Sequence, residues 1–215
     1  MSQVNRIARS SKRINRNRTL TFSFNGKEYT GFEGDTVASA LLANGVDVVG
    51  RSFKYSRPRG IITSDSQEPN AIFQIGSTQA TTIPNPRATQ TDLYQGLTAS
   101  STNGWPNVDF DLMGTVGKLG GSMMPPGFYY KTFMFPQSLW MSYEHLIRKG
   151  AGLGASPQQN DPDSYDKMHH HCDVMIVGGG PAGLAAALSA AQTGARVIIS
   201  DEQNEFGGSL LCSTQ

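Results

Sequence analysis

At 215 residues with a net charge of +1, the chain has room for one or two domains. A hydrophobic share of 38% and a charged share of 16% are low for a packed globule, and Gly 24 with Pro 11 points to much loop. No stretch reaches the ~18 consecutive apolar residues of a transmembrane helix, which argues against a membrane-bound chain, and Cys172 and Cys212 build no disulfide framework, which fits a reducing compartment.

Residues 1–18 carry Arg6, Arg9, Lys12, Arg13, Arg16 and Arg18 without an acid, leaving 12 basic against 17 acidic groups in the rest. Such an arm can serve as a nucleic-acid tail or a transit peptide, and it lacks the apolar run of a secretory signal. The expectation is a solvated or subunit-docking terminus, with no nucleic-acid partner.

Residues 19–86 read as a first domain. Leu20, Phe22 and Phe24 alternate with polar residues, the pattern of a strand buried on one face. Asn25-Gly26 signals a two-residue hairpin, because both central residues need positive φ. Lys27–Gly31 returns as a second strand. Asp35 is the expected cap of a helix over Thr36–Ala43, in which Val37 and Leu41 share a face, as do Ala38 and Leu42. Asn44-Gly45 ends it. Strand, hairpin, strand, helix opens a β-grasp domain of the α+β class, and Asn70–Ile75 reads as a later strand.

Residues 87–170 mix Gly, Pro, Asn and Ser with aromatic residues, among them Trp105, Phe110, Phe128, Tyr129, Tyr130, Phe133, Phe135 and Trp140. The aromatic content argues against disorder. The region reads as an extended connector packed on other domains or subunits, with a helix over Pro136–Lys149 and a polar linker at Gln158–Asp166.

From His171 the pattern changes. Asp173–Val177 is a nearly continuous apolar run, suited to a strand buried on both faces. Gly178, Gly180 and Gly183 form G-x-G-x-x-G, with Gly179, Pro181 and Ala182 between them. Gly178 allows a sharp turn, Gly180 lets a pyrophosphate approach, and Gly183 lets helix and strand pack closely. The helix Ala182–Thr193 points its N-terminal amides and positive dipole end at the phosphates. Gly194 ends it, and Arg196–Ser200 is the second strand.

Asp201 follows 23 residues after Gly178. An acid there can accept hydrogen bonds from ribose hydroxyls and would repel a 2′-phosphate, which favours NAD or FAD over NADP. Glu202 and Gln203 adjoin it. Gly208 and Ser209 stand where a loop can return toward the pyrophosphate, although a plain turn explains them as well. The unit is the front of an α/β Rossmann-type dinucleotide-binding domain over residues 171–215. Such a sheet needs further strands, so the expectation is an incomplete domain, an N-terminal piece of a larger protein, unstable alone and a poor nucleotide binder in isolation.

Three segments carry a resemblance. GDTVASALLANGV (34–46) with GRSFKYSRPRGI (50–61) resembles the ferredoxin-like domain fused to amine-oxidising flavoproteins. PPGFYYKTFMFP (125–136), followed by CDVMIVGGGPAGLAAALSAA and SDEQNEFGGSLL (200–211), is similar to the alpha subunits of heterotetrameric sarcosine oxidases. The resemblance implies a cytoplasmic bacterial flavoenzyme that demethylates sarcosine by hydride transfer to FAD, then passes electrons to FMN and oxygen, with tetrahydrofolate accepting the one-carbon unit. It implies beta, gamma and delta partner subunits, NAD in the Rossmann region of this chain, and FAD, FMN and folate sites elsewhere in the complex. It leaves no catalytic residue here. Opine and cyanide-forming glycine oxidases share the first and third segments less closely, with FAD in the same fold; a non-catalytic assembly module or an inactive remnant is the other alternative.

One departure stands out within that resemblance. Related cluster-bearing domains carry C-x4-C-x2-C after the RPRGI segment, because thiolates must hold the irons. The corresponding positions are Thr63, Glu68 and Ala71, so the β-grasp domain is expected to be structural. His169, His170, His171 and Cys172 alternate in direction along an extended chain and rarely converge on one metal. Arg51, Lys54, Arg57 and Arg59 form a basic loop, solvated or facing an anion or acidic subunit. The aromatic run Phe128–Phe135 reads as core or subunit contact.

Overall fold

A computed structural model describes residues 3–8, 13–52, 55–112, 114–115 and 136–212. The chain divides into two compact units, Met1–Pro162 and Asp163–Gln215. The aromatic run Phe128–Phe135, and with it the segment 125–135, lies outside the described residues, as does Lys54.

In the first unit, β1 (Asn15–Phe24) and β2 (Lys27–Glu33) form an antiparallel hairpin that pairs Phe24 with Lys27 and Phe22 with Tyr29. Asn25 and Gly26 take φ of 50° and 77°, the two positive values a tight hairpin requires. The alternation in β1 buries Leu20, Phe22 and Phe24.

Helix α1 (Val37–Ala43) starts one residue later than expected. Its N-cap is Thr36, not Asp35, in a capping box with Ser39. Asp35 is instead wholly buried and accepts hydrogen bonds from the Phe32 amide, the Ser39 hydroxyl and Arg6. Val37, Ala38, Ala40 and Leu41 face the core, whereas Leu42 is exposed, because the helix turns only one stripe to the sheet.

Two short strands, β3 (Gly50–Arg51) and β4 (Pro58–Arg59), pair with each other. The main sheet is completed by β5 (Ile72–Ile75), β6 (Ile83–Arg87) and β7 (Thr98–Ser101), in the order β2-β1-β7-β5-β6. β1 and β7 are parallel and the other pairs antiparallel. The sheet therefore extends past residue 86, into the stretch expected to be connector. Leu97 and Ala99 drive this, since both sit in the core with Phe73, whose ring centroid lies 4.9 Å from that of Phe24.

The basic arm also departs from expectation. Arg6 reaches Asp35 with two guanidinium hydrogen bonds of 2.8 and 2.6 Å and covers the Phe32 ring. Arg16 donates to the carbonyls of Ile7 and Ala8, and Arg18 pairs with Glu33. The arm folds back because Asp35 offers a buried anion that needs a cation.

A 3-10 turn (Gln137–Leu139) leads into α2 (Trp140–Ala151), which Gly152 terminates at φ 78°. The chain then returns to the sheet edge, where the Gly154 amide donates to Asn85 and the Ala155 amide to Gln74.

The second unit is one βαβ turn. β8 (Val174–Val177) and β9 (Val197–Ser200) are parallel and in register from Val174–Val197 to Val177–Ser200, linked by α3 (Pro181–Gln192). Asp173 and Arg196 clamp the strand starts with a side-chain pair at 2.8 Å. The strand expected to be buried on both faces is not: Val177 is 83% exposed. Among the described residues only α3 and one neighbouring strand pack on it, leaving its other face uncovered.

Candidate functional site

The glycine turn sits between β8 and α3. Gly178 has φ 102°, a value that a side chain would resist, and its amide donates to the Ser200 carbonyl at 2.7 Å. This bond ties the turn to the end of β9. A Cβ on Gly183 would strike the Gly178 carbonyl oxygen, so α3 lies against the turn as closely as backbone allows. A Cβ on Gly180 would meet nothing within 4 Å, so open space adjoins the turn there. Gly180 is also the N-cap of α3, with Pro181 at its first position and no side-chain cap. Ala182 follows in the first turn, so no capping side chain satisfies the backbone donors at that end.

Asp201 stands at the exit of β9 beside this turn. One carboxylate oxygen accepts from the Gly179 amide and the other from the Gln203 amide at 2.8 Å. These two amides, Gly179 foremost, hold the carboxyl below its usual range against a smaller opposing effect of burial. The acid is thus ionised and fixed near the turn. Glu202 is exposed.

Gly208 and Ser209 lie in a second 3-10 turn (Gly208–Leu211). The Gly207 amide donates to the Gly179 carbonyl at 2.8 Å, and a Cβ on Gly208 would lie 3.1 Å from the Gly180 Cα. The loop after Asp201 therefore does return to the glycine turn. Phe206 was not singled out in the sequence, yet its ring covers Gly179, where an added Cβ would collide with it. An aromatic residue just before a Gly-Gly pair was the available signal.

The first unit holds a second constellation. Glu68 is fully buried, and its two oxygens accept from the amides of Ile62, Thr63, Asn70 and Ala71. Burial pushes its carboxyl up, but the amides of Thr63, Asn70, Ile62 and Ala71 together outweigh it and bring it below the usual value.

The basic loop is partly consumed internally. Arg51 donates to the carbonyls of Val108, Ser56 and Asp109, and Arg57 stacks on Tyr55. Arg59 lies exposed in β4. Among the described residues no three His, Cys, Asp or Glu side chains gather as a metal site.

Comparisons with known proteins follow this division. Residues 17–104 match the family described as 2Fe-2S iron-sulfur cluster binding domain, and residues 173–213 match the FAD dependent oxidoreductase family. Over 205 residues, 94% of this chain and 20% of the relative, the chain is 52% identical to sarcosine oxidase subunit alpha of Rhizobium meliloti (strain 1021). Over nearly its whole length the chain is similar to sarcosine oxidase alpha subunits. A second such subunit, from Corynebacterium sp. (strain U-96), is 35% identical over 198 residues, 92% of this chain and 16% of the relative. Thiamine thiazole synthase of Aeropyrum pernix is 52% identical over 44 residues only, 20% of this chain and 16% of that protein. The chain spans about a fifth of the length of the Rhizobium subunit.

The family match raises the question of a cluster. A [2Fe–2S] centre needs four thiolates, or two with two imidazoles. The two cysteines, Cys172 and Cys212, and the four histidines, His145, His169, His170 and His171, all lie outside residues 17–104. The residues present do not fit the cluster, and the ferredoxin-like fold is retained without its ligands.

Proposed function

We propose that this chain is the nucleotide-binding and scaffold portion of a sarcosine oxidase alpha subunit, and that its glycine turn binds NAD. The carrying observation is the conjunction at one place of open space at Gly180, an α3 N-terminus with no side-chain cap, and an ionised Asp201. When bound, the dinucleotide would place its pyrophosphate against Gly178–Gly183 and its adenosine ribose toward Asp201, with Glu202, Gln203, Gly208 and Ser209 bordering it. The chain's own residues bind and orient; none is assigned a catalytic role.

The whole enzyme, on this reading, oxidatively demethylates sarcosine to glycine, transfers the one-carbon unit to tetrahydrofolate and reduces oxygen to hydrogen peroxide. FAD, FMN and tetrahydrofolate are held elsewhere in a cytoplasmic complex with beta, gamma and delta subunits. The identity to sarcosine oxidase alpha subunits supports this reading. The match of residues 173–213 to FAD dependent oxidoreductases favours a second one, in which FAD fills the same turn of an opine or related amine dehydrogenase.

The test is the assembled enzyme carrying Asp201→Ala. Normal assembly with loss of bound NAD supports the assignment. Full NAD content in the variant contradicts the role of Asp201, and absence of sarcosine-dependent peroxide from the wild-type assembly contradicts the substrate.

A further inference from the structure

The loop that joins β4 to β5 is folded around an anion supplied by the chain itself. The amides of Ile62 and Thr63 each donate to one Glu68 oxygen at 2.8 Å, with the Thr63 hydroxyl at 3.4 Å. The amides of Asn70 and Ala71 donate to the other oxygen, at 2.8 and 3.2 Å. Glu68 is 0% exposed. Among the described residues no salt bridge reaches it, and four backbone amides with the Thr63 hydroxyl compensate the buried charge. Buried carboxylates otherwise pair with a cation or are lost to protonation. Converging backbone amides are the other known solution, the nest that holds phosphates and iron–sulfur sites.

The surrounding contacts fix the cradle from both sides. The Asn70 side chain donates to the Gly60 carbonyl at 2.9 Å, and the Thr89 hydroxyl to the Asp65 carbonyl at 2.7 Å. Ala71, whose amide closes the cradle, is itself a core residue leading into β5. The carboxylate therefore joins an irregular loop to the sheet.

This lies in a domain whose family binds an iron–sulfur cluster, and this chain has no thiolate or imidazole there to bind one. A thiolate-ligated cluster is an anion whose sulfurs accept hydrogen bonds. We propose that Glu68 is the anion around which this loop folds in place of a cluster, and that removing its side chain leaves a site for a small carboxylate. The domain then keeps its shape without carrying electrons.

The experiment uses the 215-residue chain with Glu68→Ala and Glu68→Gln, melted in sodium formate or in sodium chloride of equal concentration. Each variant is expected to lose about 5 °C or more of melting temperature. The glutamine loses it because an amide turns donors toward donors. Formate is expected to restore much of the loss in Glu68→Ala, saturably, while chloride does not and wild type stays unmoved. Wild-type melting in Glu68→Gln would overturn the proposal, since charge would then be irrelevant. Equal responses of Glu68→Ala to formate and chloride would overturn it as well. Should Glu68→Ala fail to fold, formate-dependent recovery of folded protein on refolding supports the site, and its absence contradicts it. Stoichiometric iron and sulfide bound by wild type after anaerobic reconstitution would also contradict it.

Discussion

Replacing Arg6 by alanine tests whether the N-terminal segment is part of the first unit or an appendage. Asp35 is fully buried, and Arg6, whose side chain is 14% exposed, supplies two of the hydrogen bonds to its carboxylate. The others come from the Phe32 amide and the Ser39 hydroxyl, both neutral. Removing the cation leaves a charge in a site built for an ion pair. Breaking a buried pair by deleting one partner costs about 3–5 kcal/mol. Water can enter where the guanidinium was, because Arg6 lies near the surface, so the lower figure of about 3 kcal/mol applies. Loss of the stacking on Phe32 adds about 0.5–1 kcal/mol. For a unit of this length, Met1–Pro162, 1 kcal/mol is about 2–4 °C, so the combined loss of about 3.5–4 kcal/mol should lower its melting temperature by about 7–16 °C. Circular dichroism of the full chain follows the transition. Asp35→Asn should cost less when added to Arg6→Ala than when made alone, because the variants share one interaction. A change of under about 2 °C in Arg6→Ala would refute the reasoning and return the segment to a solvated arm.

Other substitutions probe the rest of the account. Gly183→Ala places a methyl against the Gly178 carbonyl and should destabilise the βαβ unit by about 1–3 kcal/mol, seen as reduced amide protection in β8 and β9; unchanged hydrogen exchange would contradict the close approach. Phe73→Ala opens the centre of the first core and should cost about 3–5 kcal/mol in a denaturant melt, and a loss below about 1 kcal/mol would mean the core is elsewhere. Glu68 makes the first unit sensitive to acid. Its folded carboxyl titrates below the ordinary value of about 4.3, so its stabilisation is full above that value and fades as pH falls through the lower folded one. The gap in melting temperature between wild type and Glu68→Gln should therefore stay constant above about pH 5 and narrow as the pH is lowered below about 4.3; a gap independent of pH would contradict the cause assigned to it.

What could be read without coordinates was local. Asn25-Gly26 declared its hairpin because both residues tolerate positive φ, and the alternation of Leu20, Phe22 and Phe24 declared the buried face. The spacing from Gly178 to Asp201 spans one helix and one strand, so it placed the acid by the turn. What could not be read depends on distant partners. β7 is a short Thr-Ala-Ser-Ser segment with no alternating signal, and it is a strand because β1, far away in sequence, pairs with it. Asp35 has the sequence position of a cap, yet its carboxylate belongs to Arg6, 29 residues earlier. Glu68 registered in the sequence only as a missing cysteine. Its role emerges from four amides that converge in space.

On the proposed reading, the turn at Gly178–Gly183 with Asp201 is an NAD site in a sarcosine oxidase assembly. Nucleotides released from that purified assembly, identified by mass spectrometry and counted against this chain, test it most directly. One NAD per copy of the chain, alongside the flavins, is the expected result. Flavin without NAD would contradict it.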